Sequence, residues 1–208
     1  MVLHPSYFPS IATFVAIIQN NVVWESQDNF QKQTYRNRCY ICTDQGKHML
    51  NIPVKHVGDK EGRQKYGEVQ MDNSYNWKKN HWRTLETAYR TSPFFEFYED
   101  DIQPLFEGSD DLLYDFNMKT IEKIGSCLGI EIPKSKTSTY ELYPVEHLDG
   151  RFLVHAKKEP DFNFAHYTQV FGDRHDFVPN LSILDLLFNE GPNAVSYLKN
   201  QNLDFPHA

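Results

Sequence analysis

Val2-Leu3-His4-Pro5-Ser6-Tyr7-Phe8-Pro9-Ser10 leads into a segment whose apolar residues Ile11, Phe14, Val15 and Ile18 recur at helical spacing, and Val22-Val23-Trp24 follows. The order reads as a strand over 2–4, a helix over 10–20 that starts behind Pro9 and stops at Asn20-Asn21, and a strand over 22–24. A helical crossover between two apolar strands is a βαβ unit, whose parallel strands hold ligands at their C-terminal ends. His4 then ends the first strand and Glu25-Ser26-Gln27-Asp28 ends the second, as neighbours. Pro5 and Pro9 stiffen the loop that carries His4 and Tyr7, and the first-turn N–H groups of the helix face that loop. The alternative use of Tyr7 and Phe8 is a hydrophobic plug.

Further along, Phe30-Gln31-Lys32-Gln33-Thr34-Tyr35-Arg36-Asn37-Arg38-Cys39-Tyr40-Ile41 places Lys32, Arg36 and Arg38 beside Asn37, ahead of a strand. If the strand begins at 36, Arg36, Arg38 and Tyr40 share one face and Asn37, Cys39 and Ile41 the other. Paired guanidiniums grip a phosphate or carboxylate more specifically than lysines do. A solvated basic edge that discourages aggregation is the competing reading. Strands over 36–43 and 48–54 around Asp44-Gln45-Gly46-Lys47 make a hairpin, with Leu50, Ile52 and Val54 toward the core. Residues 58–67 read as a polar, mobile loop and 68–71 as a weak strand. Helices are expected over 77–90, capped by Asn76, and over 93–102, capped by Ser92 with Pro93 in its first turn. A long helix runs from Asp110-Asp111 to Leu128 and ends at Gly129, with Leu113, Phe116, Thr120, Ile124 and Leu128 along one side. A strand over 138–142 follows. The stretch 143–180 has little periodicity and reads as an active-site cover. Helices over 181–189 and 192–200 close the chain.

The whole is α/β: an N-terminal βαβ unit with a mixed sheet, a β-hairpin and several flanking helices in a single domain over 1–208. Its 208 residues suffice for one well-buried core, and 40% hydrophobic with 14% aromatic residues indicates a globular protein. A net charge of -7 argues against nonspecific nucleic-acid binding. The charge is uneven: 31–90 holds twelve Lys and Arg against six Asp and Glu, whereas 91–131 holds two against ten. The basic half beside the His4 loop suits an anionic small molecule such as a nucleotide sugar or an acyl donor, unless the two regions face and cancel each other. No secretion leader is apparent and no apolar run approaches the roughly eighteen residues that span a bilayer, so the protein is expected in the cytoplasm. Cys39 and Cys42 form a C-x-x-C, but residues three apart on a strand point to opposite faces, so no metal is expected there. The cofactor is left open.

Taken together, 4–9 with its helix, 30–41, Asn76-Trp77-Lys78-Lys79-Asn80-His81-Trp82-Arg83-Thr84-Leu85-Glu86-Thr87-Ala88-Tyr89 with Ser92-Pro93-Phe94-Phe95, and Phe177-Val178-Pro179-Asn180-Leu181-Ser182-Ile183-Leu184-Asp185-Leu186-Leu187-Phe188-Asn189-Glu190-Gly191-Pro192 resemble the WbqC-like family of bacterial proteins. The resemblance implies a protein of polysaccharide and O-antigen assembly, a transferase of glycine or an acyl group to an amino sugar. The chain departs from the family pattern in Pro5, where Gln often follows the first histidine. It also has Glu25 and Asp28 where a pair of aspartates is common, and a shorter region between Leu142 and His175.

His4, His81 and Asp28 are accordingly the candidates for proton transfer. Tyr7, Phe8, Glu25, Lys32, Arg36, Asn37, Arg38, Lys79 and Asn189 are the candidates for binding, with His4, Tyr7, Asp28, Arg36, Asn37 and Lys79 converging on one cleft. No Ser or Cys sits in a nucleophile-elbow motif, which favours direct transfer over a covalent intermediate. Two other functions fit the same residues: a nucleotide-binding enzyme distantly like the HIGH-type nucleotidyl transferases, and a non-catalytic nucleotide-sugar-binding accessory protein.

Overall fold

The computed structural model describes residues 1–55, 64–157 and 159–205. Strand β1 (Val2–Leu3) pairs in parallel with β2 (Val23–Trp24), in the register Val2 to Val23 and Leu3 to Trp24. Helix α1 (Ile11–Gln19) is the crossover between them. Ser10 caps α1, its hydroxyl accepting from Thr13 N, and Asn20 Nδ2 donates to Ala16 O at the other end. Residues Ile11 through Ile17 are all buried, so α1 is the centre of the core rather than an amphipathic cover. Single parallel bridges widen the strand pair on both sides, Asp149 beside Val2 and Lys136 beside Trp24. The chain between those two bridges, 136–149, therefore passes the C-terminal ends of β1 and β2.

Strands β3 (Arg38–Thr43) and β4 (Gly46–Asn51) form the antiparallel hairpin around Asp44-Gln45, and Gly46 supplies the positive φ of 92° that the turn requires. Leu50 and Ile52 are buried while Met49 is 43% exposed, as the alternation predicts. The strand starts at Arg38, however. Residues 34–37 form a turn closed by Asn37 N to Thr34 O, so Arg36 and Arg38 do not share a strand face. The expected strand over 68–71 reduces to isolated bridges, Met71 to Val54 and Gln70 to Leu112. Most of the expected loop over 58–67 lies outside the described residues, and its end forms a short 3₁₀ turn, Tyr66–Glu68.

Helices α2 (Trp77–Tyr89), α3 (Phe95–Ile102) and α4 (Leu113–Leu128) pack over this framework. Asn76 makes no side-chain cap, and the Ser92 hydroxyl turns back to Tyr89 O instead of capping α3. α4 buries Leu113, Phe116, Thr120, Ile124 and Leu128 and ends at Gly129 with φ 67°. The expected strand over 138–142 is absent: the backbone there is held by the Arg151 side chain, not by a ladder. Helices α5 (Ile183–Glu190) and α6 (Ala194–Asn200) close the fold, and one continuous hydrophobic core runs from Met1 to Leu203. Among the described residues no helix is long and apolar enough to cross a membrane.

Candidate functional site

The loop 4–9 is held from every side. Tyr66 OH donates to Pro5 O, Tyr7 N to Tyr35 O, Ser182 Oγ to Phe8 O and Ile183 N to Pro9 O, all between 2.7 and 3.0 Å. This anchoring keeps the buried Phe8 in the left-handed region, φ 36°, which a non-glycine residue adopts only when its surroundings impose it.

Three side chains meet at the end of that loop. Arg36 Nη2 lies 2.7 Å from His4 Nε2 and 3.0 Å from Asp28 Oδ2, and His4 Nε2 lies 3.1 Å from the same carboxylate oxygen. The three contacts are not hydrogen bonds simultaneously. An unprotonated Nε2 accepts from Arg36; a protonated Nε2 donates to Asp28 and must release Arg36. Burial and then the Arg36 charge push His4 from its usual 6.5 down to about 3, against the pull of Asp28, so the neutral form bonded to Arg36 prevails. Burial raises the Asp28 carboxyl, but the adjoining His4 ring, the Arg36 guanidinium and the Asn29 N–H outweigh it and hold Asp28 below the usual carboxylate range.

The cluster leaves capacity unused. His4 Nδ1, Arg36 Nε and Arg36 Nη1 are buried with no hydrogen-bond partner, and Arg36 is 1% exposed with the Tyr66 ring 5.4 Å from its guanidinium carbon. Orphaned buried polar atoms each cost about 1–3 kcal/mol, so their concentration on one site is a sign of use. His4, Asp28 and Arg36 line a cavity of about 370 Å³ whose other walls include Tyr140, Leu142, Asp149, Arg151 and His155. Its size is near the lower end of the about 300–1,000 Å³ typical of small-molecule sites.

The remaining sequence candidates lie elsewhere. Tyr7 OH bonds to His81 Nδ1 at 2.9 Å, and both are buried among Trp77 and Phe116. Burial pushes His81 down to about 4, and its ring also hydrogen-bonds the Asn51 backbone, so this histidine joins α2 to the hairpin. Phe8 stacks on Phe106 in the core. Asn37 Nδ2 donates to Ile52 O and Asn51 Oδ1, fastening the end of β4. Glu25 is 1% exposed; its Oε1 accepts from Gln27 N and Thr137 Oγ1 and its Oε2 lies 3.7 Å from Arg151. Asn189 donates to Asp185 O within α5. Lys32 and Lys79 are exposed, and Arg38, half-buried at the start of β3, does not line the cavity. The expected convergence of Tyr7, Asn37 and Lys79 with His4 is therefore not found in this structure.

Sequence reasoning missed Arg151, Asp149 and Tyr140, because the stretch that carries them has no period to read. Cys39 and Cys42 are both buried, and burial pushes the Cys42 thiol up to about 11, which leaves it a poor nucleophile.

Among curated proteins, the chain is similar to the uncharacterised protein Rv1507c of Mycobacterium tuberculosis (strain ATCC 25618 / H37Rv), at 27% identity over 95% of this chain and 96% of that one. No solved structure matches. The model of the WbqC-like protein family matches residues 4–160 and 154–197, a span that includes His4, Asp28, Arg36 and Arg151, and the chain belongs to that family.

Proposed function

We propose that the protein is a cytoplasmic transferase acting on an amino-sugar substrate in surface-polysaccharide assembly, with the His4 cavity as its site and an acyl or aminoacyl group as the moiety transferred. The observation that supports this reading is the meeting of His4, Asp28 and Arg36 in the cavity lining, at the C-terminal ends of β1 and β2, with donor capacity left unused.

An amine that attacks an acyl carbon loses a proton as the new N–C bond forms and the leaving group departs. His4 Nε2 is neutral and suited to take that proton, and Asp28, ionised 3.1 Å away, stabilises the imidazolium that results. Arg36 is the cation for a phosphate or a developing oxyanion. An anion that draws Arg36 toward itself frees the Nε2 lone pair and removes the second cause of the lowered His4 pKa, so ligand entry moves His4 toward the range in which a base works well. A nucleotidyl transferase of the HIGH type is the second reading, because His4 and His155 both line the cavity and that chemistry uses paired histidines on phosphate.

Calorimetric screening of amino-sugar phosphates with acyl and aminoacyl donors tests the proposal. His4→Asn is expected to keep ligand affinity within a few-fold and to lower turnover by about 10²–10⁴-fold. A wild-type protein that binds donor and acceptor together and turns over neither is an accessory binding protein, and the enzyme reading fails.

A further inference from the structure

We infer that Tyr140, Leu142 and Phe152 form the face on which the sugar ring of the ligand stacks, with Arg151 as the positioning residue that holds this face; the inference rests on the reading of the His4 cavity as a ligand site.

The two arginines of the cavity are engaged differently. Arg151 Nε and Nη2 fork onto Asp149 Oδ1 and Oδ2 at 2.8 and 2.6 Å, Nη1 donates to Glu141 O at 2.8 Å and Nη2 to Leu142 O at 3.0 Å. Its fifth N–H, on Nη1, is on the group that lies 3.7 Å from Glu25 Oε2. Arg151 thus commits four of its five N–H donors within the protein and turns the fifth toward Glu25, in contrast to Arg36 with its unpartnered Nε and Nη1. What the Arg151 bonds accomplish is to fix the backbone at 141–142, which no ladder supports.

That fixed backbone displays apolar side chains that the core does not use. Tyr140 is 45% and Leu142 64% exposed, and both line the His4 cavity, whereas Glu141 between them lines a separate cavity of about 200 Å³. The alternation is that of an extended chain. The Arg151 guanidinium carbon lies 5.1 Å from the Tyr140 ring centroid and so braces one face of the ring, and both residues line the cavity. Phe152, from the short 3₁₀ turn Arg151–Val154, adds a second aromatic ring to the cavity lining. The cavity lining is consequently of two kinds: aromatic and aliphatic at Tyr140, Leu142 and Phe152, and polar at Asp28, His4 and Arg36. A sugar is divided in the same way, with a C–H face that packs on a ring and hydroxyl or amino edges that bond to carboxylate and guanidinium. The volume of about 370 Å³ fits one sugar ring with a phosphate. A nucleobase would stack on Tyr140 equally well but offers the polar lining fewer partners.

Titration calorimetry on the full chain with glucosamine 1-phosphate, uridine monophosphate and inorganic phosphate tests the inference. Tyr140→Ala is expected to weaken glucosamine 1-phosphate roughly tenfold and to leave inorganic phosphate unchanged, while Tyr140→Phe stays within about twofold of wild type. Arg151→Lys, which keeps the charge but loses the fork, is expected to weaken the sugar phosphate and not inorganic phosphate. Because Tyr140 is half exposed, its variants fold, and an unchanged melting curve checks this. Unaltered sugar-phosphate affinity in Tyr140→Ala overturns the inference, as does a loss confined to uridine monophosphate. A wild-type protein that binds inorganic phosphate but not the sugar phosphate overturns this inference alone. One that binds none of the three probes overturns the underlying site reading, and this inference with it.

Discussion

Two buried polar clusters hold a carboxylate, and they are built on opposite principles. In the first, Asp28 shares Arg36 with His4 beside a cavity, and three polar atoms of the cluster find no partner. In the second, Asp185 is fully buried in α5, with no cation beside it among the described residues. Its Oδ1 accepts from Tyr89 OH at 2.7 Å, and its Oδ2 accepts from Tyr167 OH at 2.5 Å and Gln169 Nε2 at 3.1 Å. The Asp185 cluster is satisfied and closed; the Asp28 cluster is charged, open and under-bonded. A satisfied network contributes to stability and specifies how segments meet, here α2, α5 and the strandless 164–178 stretch. An under-satisfied one carries a stability cost that a ligand can relieve.

The largest effect that follows is on stability at Asp185. Burial holds its carboxyl above the usual carboxylate range, but Asp185→Ala would strand two buried tyrosine hydroxyls, while Gln169 Nε2 keeps Val178 O. At about 1–3 kcal/mol for each orphaned group, the loss is about 4 kcal/mol, or roughly 10 °C in Tm for a chain of this length. Urea unfolding measures it, and ligand affinity per folded molecule should be unaffected. A loss below about 1 kcal/mol would mean that the network is not the structural element described.

Acid separates the two clusters next. A free histidine protonates near 6.5, whereas His4 is held at about 3 and His81 at about 4, so between these values the unfolded chain binds two protons that the folded chain does not. Stability therefore falls as pH drops below 6.5, by about 1.4 kcal/mol per unit for each histidine, which is about 2 kcal/mol each at pH 5. The decline ends as pH passes the folded values. Asp28, held low, adds to the loss in acid, whereas Asp185, held high, opposes it because the folded protein takes up that proton first. Denaturant midpoints between pH 7 and 5 should slope accordingly, and His81→Asn should remove about half of the slope. A flat profile would mean that neither histidine is buried neutral.

The βαβ opening was legible because local periodicity fixes it, and with it the adjacency of His4 and Asp28. Arg36 was legible as a cation but for a reason the structure corrects. A strand beginning at 36 would pair it with Arg38, yet the turn 34–37 sends Arg36 inward to His4. Tyr7, His81 and Asn37 look like ligand groups in sequence because spacing cannot tell whether a polar atom meets a substrate or another part of the chain. Here Tyr7 and His81 use each other, and Asn37 uses β4. Arg151 and Tyr140 were invisible because single bridges, Asp149 to Val2 and Lys136 to Trp24, position their segment, and one-residue bridges leave no period. Asp185 was hidden in the same sense: a helix pattern does not announce that one of its acidic residues is buried.

The smallest expected effect concerns Lys79, and it marks the edge of the site. His81 is buried against Tyr7, and Lys79 precedes it by two positions on α2, about 200° around the helix, so the two cannot face the same way. Lys79 is exposed on the far side. Lys79→Ala should change stability by no more than about 0.5 kcal/mol and leave glucosamine 1-phosphate affinity where it was. Arg36→Lys, measured alongside, should weaken the same ligand because an ammonium that takes over the Nη2 bonds to His4 and Asp28 has no counterpart to the unpartnered Nε and Nη1 donors. Comparable losses in the two variants would mean that α2 turns its lysine into the cavity when ligand is present. The closed, structural side of the molecule would then be part of the open, functional one.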